Sequence, residues 1–223
     1  MSFLMLALDI MPKLLEGAIV TIELTIIAII IGILIGIPTA MGRVYGNRLI
    51  YAVCTFFVEI IRGTPLLTQL FILYFGLPSV GIMLSPFTAA MIGLGINSAA
   101  YQAEYFRGAI QSVKREQLIA AYSIGMNQLQ AIRHIVLPQM FRLVIPSWSN
   151  ELIYLLKYSS MAYMIQAPEI MSQGRSIASR NFRTFEVFII VALIYLVLVS
   201  VLSKILDMAE NKFRIPGLQN IDY

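Results

Sequence analysis

Apolar residues in this chain fall in long blocks, not in the alternation of half-buried strands or the narrow stripe of a surface helix. A helix needs about 20 mostly apolar residues to cross roughly 30 Å of hydrocarbon, and five blocks meet that length, at about 18–41, 50–75, 87–110, 141–165 and 185–206. Turn chemistry and charge separate them: Gly42-Arg43 and Gly46-Asn47 after the first, Gly76-Leu77-Pro78 after the second, Gln173-Gly174-Arg175 before the fifth. The pattern predicts a single all-α membrane domain over residues 1–223 with five spanning helices.

Orientation follows from Lys and Arg, which near short loops stay on the cytoplasmic side. Arg43, Arg48, Arg107, Lys114, Arg115, Arg133, Arg142, Lys204, Lys212 and Arg214 fall on one side; Lys13, Arg175, Arg180 and Arg183 fall on the other; Arg62 and Lys157 lie within spans. The distribution predicts an N-terminus outside and a C-terminus inside. The opening MSFLMLALDIMPKLLEG lacks a basic n-region and a small-residue cleavage site, so no removable signal peptide is expected.

Composition agrees: 59% of the 223 residues are hydrophobic and 13% charged, where soluble domains carry about 25% charged residues. The net charge of +4 is spread between apolar runs instead of forming one stripe, which argues against a nucleic-acid partner. The lone Cys54 excludes an intrachain disulfide and a cysteine metal site, and the lone His134 cannot complete a histidine cluster. No G-x-x-x-x-G-K-[ST] phosphate loop occurs, so ATP hydrolysis in the usual manner is not expected of this chain. Neither a cofactor nor a metal is expected.

One segment is longer than a connection requires. EQLIAAYSIGMNQLQAIRHIVLP, residues 116–138, is polar by the standard of this chain and falls on the cytoplasmic side. Leu118, Ala121 and Tyr122 lie at i, i+3 and i+4, and Leu129, Ile132, Arg133 and Val136 continue that spacing beyond Gly125. The pattern predicts two short helices meeting at a glycine that tolerates a sharp reversal, with Pro138 opening a new segment. A surface hairpin with no partner fits that spacing equally well.

Ionisable residues inside spans cost at least ~2.5 kcal/mol and so face a cavity, a partner or water. Glu59 and Arg62, three apart, can pair on one helical face, as a structural ion pair or at a substrate path. The adjacent Gly63-Thr64-Pro65 is expected to weaken or kink the second span and free backbone groups that need partners. On the fourth span Ser147, Glu151, Tyr154 and Tyr158 form one stripe, and Asn150 and Lys157 an adjacent one. They either pack against a dimer partner or line a path at the midplane, where transporters place substrates. Tyr101, Gln102 and Glu104 on the third span are open to the same two readings, path lining or hydrogen bonding between helices.

Ala120-Ala121, Gly125 four residues on, and Ile135-Val136-Leu137-Pro138 resemble the cytoplasmic "EAA" loop of bacterial ABC-importer permeases. EIIRGTPLLTQLFILYFGLP (59–78), NSAAYQAEYFRGAIQSV (97–113), LPQMFRLVIPSWSNELIYLLKYSSM (137–161) and GAIVTIELT (17–25) resemble the polar amino-acid subfamily, and together cover most of the first 165 residues. Ile119 stands where the family usually has the loop glutamate, and Glu116 where a glycine commonly opens the loop, so coupling is expected to rest more on shape than on that charge.

The resemblance implies a type I importer core in a bacterial or archaeal cytoplasmic membrane, and a loop (about 112–138) that docks on a separate ATPase through Glu116, Ala120, Ala121, Gly125, Ile135 and Pro138. It also implies two ATPase subunits, a second permease subunit and an extracytoplasmic solute-binding protein as partners. A zwitterionic amino acid needs an anion near its ammonium and a cation or N–H groups near its carboxylate. Glu151 is the candidate anion and Arg62 or Lys157 the candidate cation, with Asn150, Ser147, Tyr101 and Gln102 nearby; the Ser149-Asn150-Glu151 triplet is similar to permeases for basic amino acids. An ion-driven transporter or channel relaying protons through Glu151 and Glu59 leaves the long hairpin unexplained. A membrane enzyme pairing Glu with His134 would need groups the topology separates.

Overall fold

A computed structural model describes residues 3–213, and nearly all of them are helical. The order is α1 (Phe3–Tyr45), α2 (Arg48–Gly63), α3 (Leu66–Phe71) running on through π and 3-10 turns to Val80, α4 (Pro86–Gln111), α5 (Arg115–Ser123), α6 (Gln128–Ala131), α7 (Leu137–Tyr158), α8 (Ile170–Asn181) and α9 (Thr184–Phe213). Helices α1 and α9 are long and apolar enough to cross a membrane, and α2 with Leu66–Val80 would make a third such crossing, bent by 101°. Helices α4 and α7, 26 and 22 residues long, match the expected third and fourth spans in length, and polar residues dilute their hydropathy. Arg214, used above for orientation, lies outside the described residues.

The first helix starts fifteen residues before the apolar block that suggested it. Asp9, Lys13 and Glu16 lower the hydropathy there, yet Leu6, Ile10 and Leu14 recur at i, i+4 and i+8 and are buried against Ile170, Ala178, Val187, Ile190 and Val191 of α8 and α9. Further along, Gly17 lets α1 touch the start of α8: a Cβ there would lie 2.9 Å from the backbone N and Cα of Ile170. Glu169, fully buried, caps α8 by accepting from the N–H groups of Met171 (2.8 Å) and Ser172 (2.7 Å), and accepts from the Tyr195 hydroxyl of α9 at 2.8 Å.

The centre is the crossing of α1 and α4. Gly32, Gly36 and Gly95 face the partner helix, so the backbones approach closely, as small residues allow in membranes where no hydrophobic drive exists between helices. Helix α7 packs against both α1 and α4, its Met140 and Val144 buried with Ala40 of α1 and Phe106 and Ile110 of α4.

Gly63-Thr64-Pro65 does break the second span. The 112–138 segment forms the expected pair of helices. Gly125 ends α5 at φ +84°, with Gly125 N donating to Tyr122 O (3.0 Å) and Met126 N to Ala121 O (3.1 Å), a Schellman closure. Asn127 and Gln130 then form a capping box on α6. Pro138 does not open a separate element. The helix runs on from α6 through a π turn (Ile132–Val136) into α7; Pro138, in the first turn of α7, cannot donate to the carbonyl four residues back, and the coil widens just before it.

The Gly17 contact yields a prediction. Gly17→Ala pushes a methyl into backbone that cannot rotate away and should cost about 1–3 kcal/mol, read as a lower midpoint in thermal melting of the purified protein. Gly108→Ala, on α4 with nothing within 4 Å of the new methyl, should be neutral or raise the midpoint. Equal midpoints for Gly17→Ala and the parent would show that α1 and α8 do not depend on this approach.

Candidate functional site

Helix α4 gathers the polar side chains of the core. Ser98, Tyr101 and Tyr105 lie at i, i+3 and i+7 and share one face. Glu151 of α7 is only 6% exposed. Its Oε1 accepts from Ser98 Oγ at 2.9 Å and its Oε2 from the Tyr105 hydroxyl at 3.4 Å. Gln102, fully buried, donates to Ser98 Oγ (3.0 Å) and to the Ile29 carbonyl of α1 (3.2 Å), so one hydrogen-bonded chain joins α1, α4 and α7. Of the two readings open for Gln102, bonding between helices is the one its contacts show.

All the donors reaching Glu151 are neutral. Among the described residues no Lys, Arg or His stands within ion-pair distance of it. Buried carboxylates are ordinarily paired with a cation. This one has no counter-charge in reach among the described residues, and it packs against the face of α4 that also bears Tyr101.

Arg62 reaches that same face from the last turn of α2. Its guanidinium lies 5.1 Å from the centre of the Tyr101 ring, and its Nη1 is 4.0 Å from Glu104 Oε2. Glu59, its expected partner, is not among the residues it pairs with. Glu104 instead collects three arginines, with Arg43 of α1 in direct contact and Arg107 at 2.6 Å. A carboxylate shared in this way leaves Arg62, 40% exposed, the loosest member of the group.

The stripe expected on α7 divides. Glu151 points inward, whereas Ser147, Asn150, Tyr154, Lys157 and Tyr158 are exposed. Lys157 Nζ sits 4.6 Å from the Tyr154 ring centre, and Tyr154 stacks on Tyr158 at 6.0 Å. Six residues of helix put Lys157 about 9 Å along the axis from Glu151, so Arg62 is the cation that shares the α4 face with Glu151.

Four residues of this region carry no assignment from sequence: Ser98, Tyr105, Gln69 and Asn97. The first two could have been found as a polar stripe with Tyr101 on the third span. Gln69 of α3 donates through Nε2 to Ile61 O (2.7 Å), Thr64 O (3.2 Å) and Thr64 Oγ1 (2.9 Å), and its Oε1 accepts from Asn97 Nδ2 of α4 at 3.1 Å. Its signal in sequence was faint: a polar side chain four residues after a proline. Among the described residues no group of three or more His, Cys, Asp or Glu side chains is placed to hold a metal.

A second constellation lies on the 112–138 hairpin. Glu116 sits in the first turn of α5, favourable for an acid. Glu116, Ala120, Gly125 and Pro138 are exposed, Ile135 is half-buried, and Ala121 is buried against its own chain. Ile119, Tyr122, Ile124 and Leu129 are also exposed, the last two at 75% and 74%. So much exposed apolar surface on a polar hairpin is the kind of patch that marks a protein or membrane contact.

These features sit on a chain with clear relatives. Residues 9–215 match the family model described as the binding-protein-dependent transport system inner membrane component. A probable amino-acid ABC transporter permease of Bacillus subtilis is 37% identical over 93% of this chain and 92% of its own length. The glutamine transport system permease of Escherichia coli is 35% identical over 92% and 94%. A crystal structure of an amino acid ABC transporter with histidines superposes with a TM-score of 0.89 at 37% identity, covering 95% of this chain and 99% of that one. By sequence and by fold, the chain belongs to the family of binding-protein-dependent transport system inner membrane components, the integral membrane permeases of ABC transporters.

Proposed function

We propose that the chain is one permease of a paired importer for polar amino acids, with a basic side chain favoured, and that Glu151 supplies the anion of its substrate site. The observation that carries the site is the buried carboxylate whose hydrogen-bond partners are a serine and a tyrosine, with no cation in reach. A cationic ammonium or side chain entering beside Glu151 supplies the missing charge, and Arg62 on the same face of α4 is placed for the carboxylate. Names of the relatives support the substrate class.

In this reading the chain crosses the membrane five times, N-terminus outside, and the path runs between two such subunits, identical or similar. The hairpin faces the cytoplasm and seats on one of two ATPase subunits through Ile119, Tyr122, Ile124 and Leu129, around the turn set by Gly125. ATP binding draws the two hairpins together and opens the path to the outside, where a solute-binding protein delivers the amino acid; hydrolysis restores the inward-facing form. Nucleotide drives this only by binding one arrangement more tightly than the other.

Two measurements test it. In the assembled complex in nanodiscs, Glu151→Gln should weaken binding of L-arginine, L-lysine or L-histidine about tenfold, the scale of one hydrogen bond to a charged group, and L-glutamine less. Undiminished binding of the basic amino acids removes Glu151 from the site. Separately, Ile119→Glu combined with Leu129→Glu should abolish co-purification of the ATPase while the permease keeps its melting midpoint; full recovery of ATPase with this variant would place the docking surface elsewhere.

A further inference from the structure

The kink of the second span is held by one side chain. In an unbroken helix the Ile61 carbonyl would accept from the N–H of residue 65, and Pro65 has none. Gln69 supplies the missing donor: its Nε2 reaches Ile61 O at 2.7 Å and both oxygens of Thr64, while Thr64 Oγ1 donates to Ile60 O at 2.9 Å. The same carboxamide ties the bend to α4 through Asn97. Asn97 precedes Ser98, which holds Glu151, and lies one turn before Tyr101, over which Arg62 sits. Arg62 belongs to the last turn of α2, immediately before the break.

We infer that Gln69 is a positioning residue for substrate recognition: it sets the 101° bend between α2 and α3, and with it the placement of the Arg62 guanidinium opposite Glu151. The inference rests on the proposed site and adds a residue that touches no substrate. Two contacts make Gln69 suited to this and a generic polar residue unsuited. Its amide donates to the freed carbonyls, and its oxygen accepts from α4, so the bend angle and the α2–α4 distance are fixed together. Glutamate cannot donate to the carbonyls, and leucine can do neither.

The test separates the two ends of the ligand. On the assembled complex without binding protein, equilibrium binding is measured for whichever of L-arginine, L-lysine, L-histidine and L-glutamine the parent holds most tightly, and for its carboxamide, which lacks the carboxylate charge. The parent should prefer the free acid about tenfold or more, as expected for a lost charge-assisted contact. Gln69→Leu should bring that preference close to unity, mainly by weakening the free acid. Asn97→Ala, which cuts only the tether to α4, should narrow the preference about threefold and serves as the readout if Gln69→Leu fails to assemble. A merely structural role would weaken acid and amide alike, and that result, or an unchanged preference in both variants, overturns the inference. Glu151→Gln should weaken both ligands with the preference intact. If Glu151→Gln leaves both affinities unchanged while Gln69→Leu still narrows the preference, the anion assignment falls and the role of Gln69 stands. If the parent binds none of the four amino acids, both fall.

Discussion

A carbonyl released inside hydrocarbon must find a donor within the protein, because no water is there to supply one. That constraint organises this molecule more than the apolar surface does. Lipid tails are as apolar as leucine, so helices gain little by burying leucine against leucine, and their arrangement is decided by close backbone approach and by polar groups with nowhere else to go. The α1–α4 crossing shows the first, at Gly32, Gly36 and Gly95. The bend at Thr64-Pro65 shows the second, where a proline removes an N–H and a glutamine from the next turn replaces it. Glu169 does the same at the start of α8, where two N–H groups and a tyrosine hydroxyl converge on one carboxylate.

The two carboxylates of the interior then differ by what satisfies them. Glu169 is held by backbone N–H groups at a helix start and by Tyr195, three donors whose positions are fixed by packing, and it acts as a joint between α8 and α9. Glu151 is held by two side-chain hydroxyls, one of them at 3.4 Å, on a face shared with a half-exposed arginine. Short, convergent donors describe a finished structure. Both carboxylates have only neutral donors, but Glu151 has fewer, one of them long and none from backbone, which is why the proposal gives the substrate role to Glu151 and not to Glu169.

How much of this could be read in advance depended on the range of each interaction. The hairpin reversal at Gly125 and the break at Gly63-Thr64-Pro65 were legible, since both follow from the backbone preferences of glycine and proline within a few residues. The amino-terminal part of α1 was not, because Asp9, Lys13 and Glu16 dilute the hydropathy although the buried face keeps its spacing of four. The partners of Glu151 were hidden for another reason: Ser98 and Tyr105 are 53 and 46 residues away, and Asn97 is 28 from Gln69. Local spacing favoured Glu59 for Arg62, and the fold chose Glu104 of α4, to which α1, α2 and α4 itself present one arginine each.

The hairpin and the interior site are joined by continuous helix. From α6 through the π turn at Ile132–Val136 into α7, the chain runs without a break from the exposed apolar surface around Leu129 to Glu151. A flexible connection would absorb a displacement of the hairpin within itself. A helix passes it along its axis, and two places on that path depart from the α hydrogen-bond pattern: the π turn beside Pro138, and Pro146 inside α7, which has no N–H to give. Under the proposed coupling, a pull on the hairpin would bend the path at these two places and displace Glu151 relative to Ser98 and Tyr105 on α4. The hydroxyls that hold the carboxylate are not on the moving helix. Under the proposed function, movement of the hairpin would for that reason change the surroundings of the Glu151 carboxylate.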